Sequence, residues 1–206
     1  MARSTALVLL GVSLAPGCYK DQVQLQPLGG KPLRFAQVDQ RLYRGGQPSE
    51  AQLEELKAMG VTTIISLRRE ERDVTAAEEQ TARRLGLKFL HFPFYGVFGA
   101  SRPFLERILA EMRAPENGVV YVHCKRGRDR TSLLVALHLV IDGGWTPSDA
   151  WQHAVLDFGY QSTFWYREIG ASFDRMVRAH AHDARFVGGV QSPRRAPAEL
   201  ATAQAP

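Results

Sequence analysis

Cysteine is scarce in this chain: only Cys18 and Cys124 occur in 206 residues, and they sit in very different surroundings. If the chain is exported and Cys18 modified, Cys124 has no partner for an intramolecular disulfide and stays free for chemistry. Long apolar runs are absent as well. The stretch from Ala6 to Leu14 falls short of the ~20 residues that a membrane-spanning helix takes. The six histidines are scattered without ligand spacing, so no metal site is indicated. Basic residues give a formal charge of +5 and a pI near 9.5, but form no stripe with interleaved aromatics. A nucleic-acid partner is therefore not expected. No internal repeat is found.

What is present, 45% hydrophobic and 23% charged residues, belongs to a soluble globular protein of one domain with terminal extensions. Residues 1–18, MARSTALVLLGVSLAPGC, have Arg3, an apolar run and small residues before Cys18, as a bacterial export signal does. Cys18 is then a candidate lipid-modified first residue of the mature chain, which would make the protein exported, periplasmic or membrane-anchored. Ala15 and Pro16 fit a lipoprotein cleavage site imperfectly, so a plain signal peptide or an apolar helix remains open. Residues 19–32 read as a linker and residues 183–206, ending in SPRRAPAELATAQAP, as a disordered tail. The folded unit is expected over 33–182.

Within that unit short apolar runs alternate with helical patterns. Ser49 with Gln52 forms a capping-box pattern opening a helix that Gly60 stops. Residues 61–67 (VTTIISL) and 118–123 (GVVYVH) read as buried strands, and 88–94 as a third. Helices are expected over 74–85, 102–113 and 131–144, with Leu133, Leu134, Leu137, His138 and Val140 toward the core. Thr146, Pro147 and Asp149 start another helix through about Leu156, and a last one over 163–180 buries Phe164, Ile169, Phe173 and Met176. The alternation implies an α/β fold, a mostly parallel central sheet with helices on both faces. His91, His138 and His153 fall in strand or helix patterns and read as core or surface positions.

One stretch, HCKRGRDRT (123–131), leaves the carboxyl end of a central strand and runs into a helix. Free N–H groups and the helix dipole favour an oxyanion there. Gly127 lets the backbone turn tightly. The same field favours the thiolate of Cys124, making it a nucleophile. Arg130, on the first helical turn, offers a planar fork for two phosphate oxygens. The backbone of Lys125, Arg126, Gly127 and Arg128 binds phosphate whatever the side chains do. Those cationic side chains are either substrate-recognition groups or generic surface charge.

Cys124, five residues, Arg130 and Thr131 resemble the signature of the cysteine-dependent protein tyrosine phosphatase superfamily, in its dual-specificity branch. The resemblance extends through VDQRLYRGGQP (38–48), GVTTIISLRRE (60–70) and IDGGWTPSDAW (141–151), and is to bacterial members related to plant and fungal atypical dual-specificity phosphatases. It implies a dual-specificity-phosphatase-like fold and no cofactor. It further implies attack by Cys124 to form a phosphocysteine, oxygen binding by Arg130, a Thr131 hydroxyl that eases thiolate departure, and a loop-ordering His123. Arg44 reads as a scaffold residue beneath the site.

The chain departs from that family in two places. Residues 92–103, FPFYGVFGASRP, where relatives carry a general-acid aspartate, have no Asp or Glu. Asp129, inside the loop, is the candidate acid, with a helix cap as its other reading. Ser132 stands where relatives have glycine. The expected activity is hydrolysis of phosphotyrosine, phosphoserine or phosphothreonine monoesters on a protein. The alternatives are an inositol polyphosphate or phosphoinositide phosphatase and, in another class, an inactive phospho-binding module. A sulfurtransferase does not call for the arginine.

Overall fold

The computed structural model describes residues 34–95, 100–160 and 167–186; the expected signal, the linker, Cys18, Phe164 and the end of the chain lie outside these. The strands are β1 (Ala36–Gln37), β2 (Leu42–Gly45), β3 (Thr63–Ser66), β4 (Lys88–His91) and β5 (Val120–His123). The helices are α1 (Glu50–Ala58), α2 (Arg72–Arg84), α3 (Arg102–Arg113), α4 (Arg130–Ile141), α5 (Pro147–Trp151) and α6 (Arg167–Phe186). The sheet order is β1-β2-β5-β3-β4, and every pairing is parallel except β1 with β2.

Side chains alternating across β3 and β5 feed two cores. Ile64 and Tyr121 pack with Leu53 and Leu56 of α1 and Ala82 of α2. Ile65, Val120 and Val122 pack with Leu105, Ile108 and Leu109 of α3, Leu133 and Leu137 of α4, and Ile169, Phe173 and Met176 of α6. Helices therefore cover both faces, as the alternation of elements implies. Gly45, His123 and Ser66 are register partners at the ends of β2, β5 and β3, so three loops emerge side by side there.

The Ser49 capping box forms: Ser49 Oγ accepts from Gln52 N, and Gln52 Oε1 accepts from Ser49 N. Thr146 caps α5 through Asp149 N at 3.1 Å, with Pro147 in the first turn. Three elements differ from their sequence patterns. Strand β4 stops at His91, after which Phe92 and Phe94 leave the sheet but remain buried. Beyond α5 the chain makes a π-helical turn, Gln152–Leu156, where Arg44 Nη1 donates to the Ala154 carbonyl at 2.6 Å. A side chain entering the helical ladder is a common origin of such turns. Helix α6 runs past residue 182 to Phe186, its last turn tied to the start of α3 by Arg102 and Asp183 at 2.5 Å.

His138 is not part of the apolar core. Its Nε2 lies 2.7 Å from Asp39 Oδ2 and its Nδ1 3.0 Å from Asp142 Oδ2, while Arg113 also pairs with Asp142 at 3.0 Å. Burial acts to lower the His138 pKa, but the hydrogen bonds and charges of Asp142 and Asp39 together outweigh it and lift it to about 9. A histidine whose folded pKa exceeds its unfolded value of about 6.5 adds stability below that value and loses it as pH rises through the folded pKa. Unfolding free energies from urea titrations between pH 6.5 and 9.5 are expected to fall in the wild type, by on the order of 2–3 kcal/mol. His138→Gln should flatten that fall; an equal decline in both proteins would remove His138 as its origin.

Candidate active site

The loop 124–129 takes its shape from the bonds made by its carbonyl oxygens. The His123 carbonyl accepts from Leu67 N at 2.8 Å and that of Lys125 from Gln47 N at 3.4 Å. Arg34 Nη1 donates to the Arg126 carbonyl at 3.3 Å, and Arg44 Nη2 to the Gly127 carbonyl at 2.8 Å. With carbonyls drawn outward, the peptide N–H groups are left for the interior of the loop, an anion-binding nest at the head of α4. Gly127 has φ +68, and a Cβ there would lie 2.5 Å from the Gly45 carbonyl carbon and 2.7 Å from Gly46 N. Only glycine fits, because two backbones touch.

Cys124 is buried at the mouth of α4. Burial acts to raise its thiol pKa, but the Arg130 charge, the Thr131 hydroxyl and the N–H groups of Thr131 and Arg126 together hold it below the ordinary value. The Thr131 hydroxyl is fully buried with no oxygen or nitrogen partner, which leaves it to the sulfur. Arg130 is anchored at one end: Nη1 donates to the carbonyls of Leu67 (2.9 Å) and Phe94 (3.0 Å), and Nη2 to the Glu70 carboxylate (3.0 Å). A guanidinium has five N–H donors. Three are engaged, and Nε–H with one Nη2–H remain for a bidentate anion.

Around this centre Lys125, Arg128 and Arg130 each lie beside a carboxylate. Lys125 Nζ lies 2.6 Å from Glu71, which also pairs with the buried Arg68. Arg128 Nε lies 3.2 Å from Asp129 Oδ1. Asp129 occupies the N-cap position of α4 but makes no side-chain cap hydrogen bond, so capping is not what its carboxylate does. His123 is buried beneath the loop, Nδ1 3.4 Å from the Cys124 carbonyl and Nε2 2.8 Å from Glu78 of α2. The arrangement provides a stabilised thiolate, a ring of inward N–H groups and a two-pronged cation around one tetrahedral-anion-sized space.

A family model described as "DSP-PTPase phosphatase fused to NAD+ Kinase" matches residues 29–158. The chain belongs to the dual-specificity phosphatase family. Over 111 residues the chain is 30% identical to inositol diphosphatase DSP1 of Oryza sativa subsp. japonica, an alignment covering 50% of this chain and 48% of the relative. The chain thus spans about half the length of that curated relative. Two solved structures share the fold. Pseudomonas aeruginosa TpbA (C132S) in complex with pTyr superposes with TM-score 0.58 at 20% identity, covering 71% of this chain and 90% of that one. The catalytic core of the Saccharomyces cerevisiae PP-IP phosphatase SIW14 gives 0.55 at 19% identity, covering 74% and 93%.

The sequence pattern brings Cys124, Arg130, Thr131, His123, Gly127 and Asp129 into one site, with Lys125 and Arg126 exposed at its rim and Arg128 partly buried. Arg44 is the scaffold residue its motif suggests, fully buried and stacked on Phe158 at 3.5 Å. Ser132 acquires a role: its hydroxyl accepts from Arg44 Nη2 at 2.7 Å, an acceptor that glycine would not offer. Glu70, Glu71 and Glu78 are not evident from the loop motif. Glu78 does carry a signal, since it lies with Thr75 and Ala82 on the buried face of α2, where a carboxylate is out of place. Gly127→Ala is expected to cost about 1–3 kcal/mol in urea unfolding, and to weaken vanadate binding at least tenfold. Wild-type vanadate affinity in that variant would show that the Gly127 contact does not shape the nest.

Proposed function

We propose that the phosphatase transfers a phosphoryl group to Cys124 and then to water, and that its preferred substrate is a diphosphate carried by a polyphosphorylated inositol. In this reading the Cys124 thiolate attacks phosphorus, the bond from phosphorus to the leaving oxygen breaks, and the Nε–Nη2 edge of Arg130 holds two equatorial oxygens. The Thr131 hydroxyl then steadies the departing thiolate as water hydrolyses the phosphocysteine. Asp129, within the loop, serves as the proton donor where one is needed.

The observation that carries the substrate is the composition of residues 92–103, FPFYGVFGASRP, which hold no carboxylate to protonate a leaving oxygen. Phe94 instead lends its carbonyl to Arg130. A leaving phosphate has a second pKa of about 6 and departs without a proton, whereas a tyrosine phenolate has one of about 10. Serine and threonine alkoxides are more basic still. The exposed Lys125 and Arg126 suit a ligand with phosphates beyond the one attacked. The rice relative is an inositol diphosphatase, which points the same way. Phosphotyrosine is the second reading, favoured by its presence in the TpbA complex.

Turnover by the full chain should fall in the order inositol diphosphate, phosphotyrosine peptide, phosphoserine peptide, with Cys124→Ser abolishing all three and retaining vanadate binding. Phosphotyrosine turned over faster than the diphosphate would select the second reading. Hydrolysis at the wild-type rate by Cys124→Ser would overturn covalent catalysis. Binding without turnover in the wild type would leave a phospho-binding module. Asp129→Asn should slow aryl phosphates at least tenfold more than the diphosphate; an equal loss on both removes Asp129 as the acid.

A further inference from the structure

Glu78 lies on the buried face of α2 with Thr75 and Ala82, close enough to Tyr121 of β5 to act on it, and Ala82 belongs to the core on the opposite side of the sheet from α4. Its side chain is 2% exposed, and His123, its ion-pair partner, is 0% exposed. A buried carboxylate costs several kcal/mol unless it is paired. An apolar residue would fill this helix face at no such cost. The pairing with His123 is therefore the reason to look for a role.

His123 lies between two acceptors. Nε2 is 2.8 Å from Glu78 Oε1, off the axis of a ring N–H, as in a close ion pair. Nδ1 is 3.4 Å from the carbonyl oxygen of Cys124. Neither a carboxylate nor a carbonyl can donate, and a neutral imidazole has a single N–H. A positive charge on the ring suits both neighbours, the carboxylate as an ion-pair partner at Nε2 and the carbonyl as an acceptor at Nδ1. Tyr121 stacks on it, centroids 5.6 Å apart, and fixes its plane, its own hydroxyl donating to the Gly46 carbonyl at 2.6 Å.

We infer that Glu78 is a positioning residue that keeps His123 doubly protonated beneath Cys124, so that a buried Glu–His pair on the far side of the sheet sets the reactivity of the thiolate. The imidazolium holds the Cys124 carbonyl back from the nest and adds positive charge behind the sulfur. The other groups acting on Cys124 are Arg130, Thr131 and the Arg126 N–H; Tyr121 feels Glu78, Cys124 and Arg44 of β2. Burial raises the Tyr121 pKa first, and Glu78 adds to that, which keeps the phenol neutral. The inference rests on Cys124 being the reactive thiolate, but its test requires no substrate.

The rate of Cys124 alkylation by iodoacetamide, followed against pH in the full chain, reports the thiolate directly. Mass spectrometry of the Cys124-containing peptide separates it from Cys18. Glu78→Gln, which preserves shape and removes the charge, should move the midpoint up by about one pH unit. A folded Glu78→Gln protein with the wild-type midpoint would overturn the inference. Nitrogen NMR of the wild-type chain labelled in histidine should show both His123 ring nitrogens protonated at neutral pH. This second measurement decides the matter if the variant does not fold, and an unprotonated His123 nitrogen would sink the idea. Neither result depends on turnover, so failure of the proposed phosphatase reaction is recognised separately from failure of the Glu78 pairing.

Discussion

A peptide group cannot turn its N–H toward an anion without turning its carbonyl away, so a loop of convergent N–H groups needs donors on its outer side. Here Leu67, Gln47, Arg34 and Arg44 supply them, from the segments that flank the loop in the sheet and before it. Arg44 does the most. Its guanidinium reaches the Gly127 carbonyl, the Ser132 hydroxyl, the Ala154 carbonyl and the Phe158 ring, joining β2, the loop, α4 and the π-helical turn. A fully buried cation is tolerated because oxygen atoms surround it, and those oxygens are in place because the loop carbonyls point outward. The contact of Gly127 with the Gly45–Gly46 backbone follows from the same approach of β2 to the loop.

So much positive charge in nine residues would repel itself in the absence of a ligand. The fold answers by pairing most of these cations with carboxylates. Glu70 holds Arg130, Glu71 holds Lys125 and Arg68, Asp129 holds Arg128, and Glu78 holds His123. Arg130 keeps an edge open toward the nest while its other end is neutralised and fixed. Glu70 is itself held below the ordinary carboxylate range: burial raises it, but backbone hydrogen bonds and Arg130 prevail. Glu71, in a left-handed conformation with φ +56 just before α2, bridges two cations from that strained position.

What could be read without the fold was what is local. Cys124, the arginine six positions on, the glycine and the flanking strand and helix lie in one continuous run, and short-range chemistry is enough to interpret them. The capping box of α1 and the proline start of α5 were legible for the same reason. Charge partners were not. LRREERD alternates acids and bases and reads as solvated surface, yet Arg68 is buried and Glu70 and Glu71 both reach the site, because β3 ends beside β5. His138 sits at a helical position that matches a core stripe, and only its proximity to Asp39, 99 residues away in sequence, makes it a polar knot. Strands β1 and β2 are too short to announce themselves by alternation.

The stretch after β4 shows how one substitution of roles propagates. Where a proton donor would stand, the chain has aromatic residues, and these build structure: Phe92 and Phe94 pack edge-on against Phe104, and the Phe94 carbonyl becomes one of the three anchors of Arg130. Arg69 stacks on Tyr95 at 3.6 Å, linking this segment to the loop that carries Glu70. The segment therefore contributes an anchor for Arg130 and no carboxylate. Rigid, preorganised charge accelerates any phosphoryl transfer, because the equatorial oxygens carry negative charge whatever departs. The lack of a carboxylate in residues 92–103 bears only on reactions whose leaving oxygen is basic. In the proposed reaction the two effects together favour leaving groups that depart as stable anions.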